Sequence, residues 1–298
     1  MRKFVKVLFV TFGIMGMLIG SGFAGETGHY VNGVEGIKCG TVPPPGLYYR
    51  MYNVFYNADT VTDENGNEQQ LDFDASIYAM ANRVIWVTQK KILGADFFMD
   101  IVIPLIYTDI EIGLAGIADD AFGLGDINIE PFGLAWHGPR YDAALGLSFY
   151  LPTGDYDQTK PASAGKDMWT GMLTLGGTYY FDAEKTWSAS ILSRYETHSE
   201  KYDINVTPGD DFHFEWGAGK TLAKVWDVGL TGYCQWQVTD DSGSGSSSVK
   251  DRVYAVGPEV SLFYPPATLF ISLRSQWEFE AQDRSEGNCT TLTLTKIF

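Results

Sequence analysis

Apolar and polar residues alternate with a period of two along most of the chain. This is the pattern of β-strands whose two faces meet different surroundings. The clearest run sets Ala95, Phe97, Met99, Ile101, Ile103, Leu105 and Tyr107 against Asp96, Phe98, Asp100, Val102, Pro104, Ile106 and Thr108. A second sets Leu71, Phe73, Ala75, Ile77, Ala79 and Ala81 against Asp72, Asp74, Ser76, Tyr78, Met80 and Asn82. Near the end, Leu269, Ile271, Leu273, Trp277 and Phe279 oppose Ser272, Arg274, Gln276, Glu278 and Glu280. Twelve such runs are predicted, at 47–57, 71–88, 94–108, 125–136, 141–152, 168–181, 187–196, 211–219, 226–239, 252–264, 267–281 and 288–298. Most reach about 10 residues, the ~9–11 of a tilted transmembrane strand rather than the ~5–6 of a soluble sandwich. Two runs depart from the pattern. In 125–136 the polar phase of Asp126, Asn128 and Glu130 breaks at Pro131, which predicts a bulge. In 47–57 both faces are mixed, so its orientation stays open.

The connections alternate in length. Those at 89–93, 137–140, 182–186, 220–225 and 265–266 are short. Those at 58–70, 109–124, 153–167, 197–210, 240–251 and 282–287 are longer, the last only modestly. Short turns on one side and long loops on the other are the habit of outer-membrane barrels. Trp86, Trp136, Tyr141, Tyr179, Tyr180, Phe181, Trp187, Trp226, Phe263 and Tyr264 all lie within a few residues of a short turn, which predicts an aromatic girdle on that side. The pattern therefore predicts an all-β fold: a transmembrane, antiparallel, up-and-down β-barrel of about 12 strands.

Composition sharpens this picture. A basic start (Arg2, Lys3, Lys6), an apolar run over 7–19 and Gly22-Phe23-Ala24 predict a signal peptide over 1–24. Its removal takes three bases and no acids, so a net charge of −16 becomes −19. Such acidity excludes nucleic acid as a partner. Cys39, Cys234 and Cys289 form neither a disulfide framework nor a zinc-ligand spacing. No cofactor or metal is implied. Residues 25–46, rich in Gly and Pro, are predicted to be a segment apart from the 47–298 barrel: a lumen plug or lateral gate, with a periplasmic tail as the alternative. The last strand ends in Phe298, a terminal aromatic of the kind that the barrel assembly machinery reads.

Several segments together resemble a known family. They are His29-Tyr30-Val31-Asn32-Gly33 with Pro43-Pro44-Pro45-Gly46, Trp86-Val87-Thr88 with Lys91 to Asp96, Gly123-Leu124-Gly125-Asp126, Leu151 to Tyr156, Gln237 to Asp241 and Gly257 to Val260. In order and spacing they resemble the family labelled "putative transporter" or "meta-pathway phenol degradation protein", over essentially the whole chain beyond residue 24. The resemblance implies an exported outer-membrane barrel associated with uptake of phenols and other apolar aromatics, and it implies no catalysis. Val31 stands where the family pattern has Pro.

If hydrocarbon covers the apolar faces, the opposite faces line the lumen. The lumen candidates are Asp72, Asp74, Asp96, Asp100, Asp126, Glu130, Asp142, His213, Glu215, Gln235, Gln237, Arg274, Gln276 and Glu278. The expected function is passive uptake of small hydrophobic or aromatic compounds. The expected partners are outer-membrane lipid, lipopolysaccharide and an apolar solute. A structural or adhesive barrel and a lipid-modifying enzyme are the alternatives. For the enzyme, the candidates are His198 with Ser193, Ser199 and Asp203.

Overall fold

The computed structural model describes residues 28–298; the expected signal peptide lies outside them. Alternation builds the wall. The barrel strands are β1 (Gly46–Val61), β2 (Phe73–Ile92), β3 (Ala95–Ile112), β4 (Ile117–Leu124), β5 (Ile127–His137), β6 (Tyr141–Leu151), β7 (Thr170–Tyr180) and β8 (Trp187–His198). β9 (Val206–Thr207) pairs only with β12 (Ser242–Gly243), in the loops. β10 (Asp211–Leu222), β11 (Trp226–Gln237), β13 (Arg252–Tyr264), β14 (Leu269–Gln282) and β15 (Ser285–Ile297) complete the wall. Every neighbour is antiparallel, and β1 pairs with β15, so the sheet closes as a twelve-stranded barrel. Closure leaves no sheet edge, which hydrocarbon requires.

The expected strand over 125–136 is the lower part of a broken strand. β4 pairs with the loop end of β3, the chain steps aside at Gly125 and Asp126, and β5 takes over on the lower half. The phase break falls at Pro131. The ladder to β6 shifts between Ile129 and Phe132, and the ladder to β3 shifts between Phe98 and Asp100. Pro131 has no N–H to donate. The last connection is tighter than expected: only Asp283 and Arg284 separate β14 from β15.

Outward faces carry the apolar band. Trp86, Tyr141, Leu175, Tyr179, Trp187, Leu230 and Trp277 are each at least half exposed, far more apolar surface than a soluble monomer shows. The girdle stands on the short-turn side, with one correction. Tyr180 points inward, where its hydroxyl donates to Asp142 Oδ2 at 2.6 Å.

The strand over 71–88 has its faces reversed. Phe73, Ala75 and Ala79 are buried inside, whereas Asp74, Ser76, Tyr78 and Asn82 look outward. At 16, 20 and 18 residues, β1, β2 and β3 outrun the ~25 Å apolar belt of such barrels. Above the belt the outside is wet, so the apolar face turns in. There Ala58, Phe73, Ala75 and Ile112 pack into a small core.

Candidate functional site

The site is the lumen, and residues 28–45 run through it. Wall residues near the long loops hold one end of this segment and wall residues near the short turns hold the other, so it spans the barrel lengthwise.

At the loop end, Lys166 Nζ donates to Gly28 O. The His29 ring bonds Asp126 Oδ2 through Nε2 and Thr170 Oγ1 through Nδ1, both at 2.8 Å, and stacks on Tyr150 with centroids 4.4 Å apart. Thr170 Oγ1 also meets His198 Nδ1 at 2.8 Å, and His198 Nε2 lies 3.2 Å from Asp211 Oδ2. Thr170 has one proton to give. With both carboxylates ionised, every contact in the row from Asp126 to Asp211 is satisfied only when one of the two histidines carries a second proton. The loop 152–169 folds over this end, with Ala162, Ala164 and Met168 buried, and its Lys166 N donates to Asp126 Oδ2 at 2.7 Å.

Midway, Glu35 is the principal anchor. Its carboxylate accepts from Arg50 Nη1 at 2.7 Å, Arg83 Nη1 at 2.8 Å and the Tyr52 hydroxyl at 2.7 Å. Arg83 reaches on to Asp100 and Glu130. The Arg194 guanidinium lies 3.7 Å over the Tyr30 ring and donates to Glu215 at 3.0 Å. Wall carboxylates also take up the segment's main-chain N–H groups. Glu196 accepts from His29 and Tyr30, Glu215 from Glu35, and Glu259 from Ile37. Arg274 donates to Val34 O. A turn-rich chain without its own ladder thereby meets its backbone requirement in a lumen shielded from bulk water. At the turn end, Lys38 Nζ pairs with Asp227 at 2.8 Å, and Thr41 Oγ1 lies 2.8 Å from Thr178 Oγ1.

Of the expected lumen residues, Asp96, Asp100, Asp126, Glu130, Asp142, His213, Glu215, Gln235, Gln237, Arg274, Gln276 and Glu278 are buried on inward faces. Glu215, Gln235, Asp126, Asp142 and Arg274 touch residues 28–45 directly. His213 Nε2 bonds Glu196 at 2.8 Å, and Glu278 accepts from Tyr56 and Tyr233 at 2.8 Å each. Gln237 reaches toward the loops, to Asp241. Asp96 takes Lys91 at the turn end. Asp72 and Asp74 are corrected. Both are exposed and lie outside the lumen, because that strand is inverted. Sequence reasoning passed over Glu35, Arg50, Arg83, Arg194, Glu196 and Glu259. Arg194 and Glu196 share the period-two phase of His198, a signal that could have marked them.

The inner wall is two-sided. β7 to β14 carry Glu196, Asp211, Glu215, Glu259 and Glu278 with His198 and His213, whereas His137 ends β5 at the turn side and lies 3.0 Å from Asp142 Oδ1. Along the loop-side half of β1 to β3 the lining is an apolar stripe, bounded midway by Arg50, Tyr52, Arg83 and Asp100 of the same strands. It runs from Ile112, Phe73 and Ala75 past Tyr56 and Ile106 to Ala79 and Val54, where Val34 of the inner segment packs. The enzyme candidates do not assemble. Ser193 faces outward, and Ser199 Oγ is engaged with Trp169 N and Glu200 O. All three cysteines are free. Among the described residues no group of three His, Cys, Asp or Glu side chains could hold a metal ion.

A family model described as "Putative MetA-pathway of phenol degradation" matches residues 58–294. No curated protein matches. Among solved structures, the chain is similar to the COG4313 outer membrane channel from Pseudomonas putida F1. The TM-score is 0.79 at 11% identity, covering 91% of this chain and 100% of that one. The CymD monoaromatic hydrocarbon channel matches with a TM-score of 0.44 at 8% identity over 86% and 89%, too low to carry an argument. The first likeness establishes the fold of an outer-membrane barrel.

Proposed function

The chain belongs to the family of the MetA pathway of phenol degradation, and from that premise we propose that it is an outer-membrane channel for passive entry of small apolar or aromatic compounds. The observation that carries this reading is the apolar stripe on the loop-side half of the inner faces of β1 to β3. A general porin keeps a wide polar lumen. Here the inner segment runs along the axis, loop 152–169 folds over its loop end, and His29, Glu35 and Lys38 of the segment engage ionic groups of the wall. Ions gain no wet path, while an apolar solute finds a surface that shields it from water. No energy source is built into the chain, so flow follows the gradient. The lipid-facing belt and the family point to the bacterial outer membrane as its location. In cells with and without the protein, uptake of radiolabelled phenol, toluene and a long-chain fatty acid tests the proposal. Faster entry of toluene and phenol is expected; equal uptake of all three solutes would end it.

A further inference from the structure

A second site stands on the outside of the barrel, at the long-loop rim of β10, β11, β13 and β14. Five aromatic rings form a continuous belt across it. Phe212 and Phe214 pack against Trp236 at 6.2 and 5.8 Å, Trp236 against Tyr254 at 5.6 Å, and Tyr254 against Phe279 at 5.9 Å. Beneath the belt lies an open groove of about 410 Å³, lined on the lipid side by Trp216, Cys234, Tyr254 and Phe279. Arg252 and Glu280 stand at its rim.

The height of this groove follows from the strands. Trp226 and Tyr264 mark the short-turn girdle on β11 and β13. Ten residues at ~3.3 Å, tilted by about 40°, rise about 25 Å, the height of the apolar belt. Trp236 and Tyr254 are ten residues away from those markers, so the groove opens where the outer leaflet's acyl chains meet their headgroups.

Arg252 is the anomaly. It faces outward beside Trp236, its strand partner. Among the described residues its side chain makes no hydrogen bond, and no carboxylate oxygen lies within 4.0 Å of its guanidinium nitrogens; Glu280 lines the same groove without pairing to it. Its Nε is shut off from solvent with no acceptor. A buried donor left unmade costs about 1–3 kcal/mol. A half-buried guanidinium over an apolar groove fits a ligand with an anionic head and hydrocarbon tails, and its planar fork matches the oxygens of a phosphate bidentately, as it would a carboxylate.

We propose that this groove binds lipid A, with a glucosamine phosphate on Arg252 and an acyl chain against Trp216, Cys234 and Phe279. Position selects this lipid over a phospholipid, because the rim is on the long-loop side, the side that outer-membrane barrels turn outward. The binding is separate from solute passage, since none of these side chains reaches the lumen.

The test is native mass spectrometry of the full-length protein in detergent, with hexa-acylated bis-phosphorylated lipid A or phosphatidylglycerol added. The native protein is expected to retain lipid A over phosphatidylglycerol. Arg252→Gln should weaken retention about tenfold, and Glu280→Gln should leave it unchanged or raised. Heat-modifiable gel mobility reports folding independently, and Phe279→Ala, a second variant, should lose retention without touching the charge. Equal lipid A retention by native and Arg252→Gln protein, or equal retention of the two lipids, would overturn the proposal.

Discussion

At the scale of residues, charge is placed where it can be answered. Glu35 is the clearest case, for two guanidiniums and one phenol converge on it. Glu35→Ala leaves Arg50 and Arg83 facing each other without their shared acceptor. A loss of about 1–3 kcal/mol is expected, less than for a dry core because the arginines keep some contact with water. Denaturant unfolding followed by gel mobility measures it, and Glu35→Gln, which keeps an acceptor, should recover part of the loss. Outside the membrane, Asp283 sits half-buried in the tight β14–β15 turn. Burial, with Glu64, Asp241 and Asp63 nearby, pushes its carboxyl up to about 6 from an ordinary 3.8. A carboxyl raised in the folded state binds its proton more tightly there than in the unfolded chain. Its contribution is therefore full below about pH 4 and fades as pH climbs through 6. Asp283→Asn should flatten that part of the stability–pH curve and stabilise the neutral protein; an unchanged curve would contradict the assignment.

At the scale of elements, the period of each strand was readable, but its phase relative to the membrane was not always so. β6 and β2 show the contrast. Both alternate cleanly. On β6 the apolar set Tyr141, Leu145 and Leu147 faces lipid as expected, and on β2 the apolar set faces inward. Alternation reports two unlike faces, and only a strand's height decides which of them meets hydrocarbon. Pro131 announced its bulge because a missing N–H is a local property. The two-residue β14–β15 turn gave no comparable sign. The inner segment was legible as something other than wall, from Pro43-Pro44-Pro45 and its glycines. Its partners were not, because His29 meets Glu196, 167 positions away, and one sequence does not record such pairs. Its fit is close enough to test sterically. A Cβ on Gly40 would stand 2.4 Å from the Gly177 backbone, and that backbone belongs to the wall. Gly40→Val should therefore displace the segment rather than the strand, at a cost of about 1–3 kcal/mol. Limited proteolysis should then cut within residues 28–45 while β1 to β15 stay intact; resistance equal to the native protein would show the fit to be looser than drawn.

At the scale of the whole molecule, a twelve-stranded barrel is too wide for wall side chains alone to fill and narrower than an open porin of 16–18 strands. Both a core and a pore are possible at that size. This chain resolves the choice by laying residues 28–45 down the axis and tying them to ionic groups around the wall, Arg50 and Arg83 on β1 and β2 as well as Asp126, Glu215 and Arg274. The loop-side half of β1 to β3 keeps an apolar inner face, and the outer surface stays greasy. Such a barrel is expected to be shut to ions at rest. Single-channel recording in planar bilayers tests this directly, comparing the native protein with a variant lacking residues 28–42. The native barrel should show little steady conductance and the variant a stable open level. Equal conductance in the two would mean that the segment does not close the lumen.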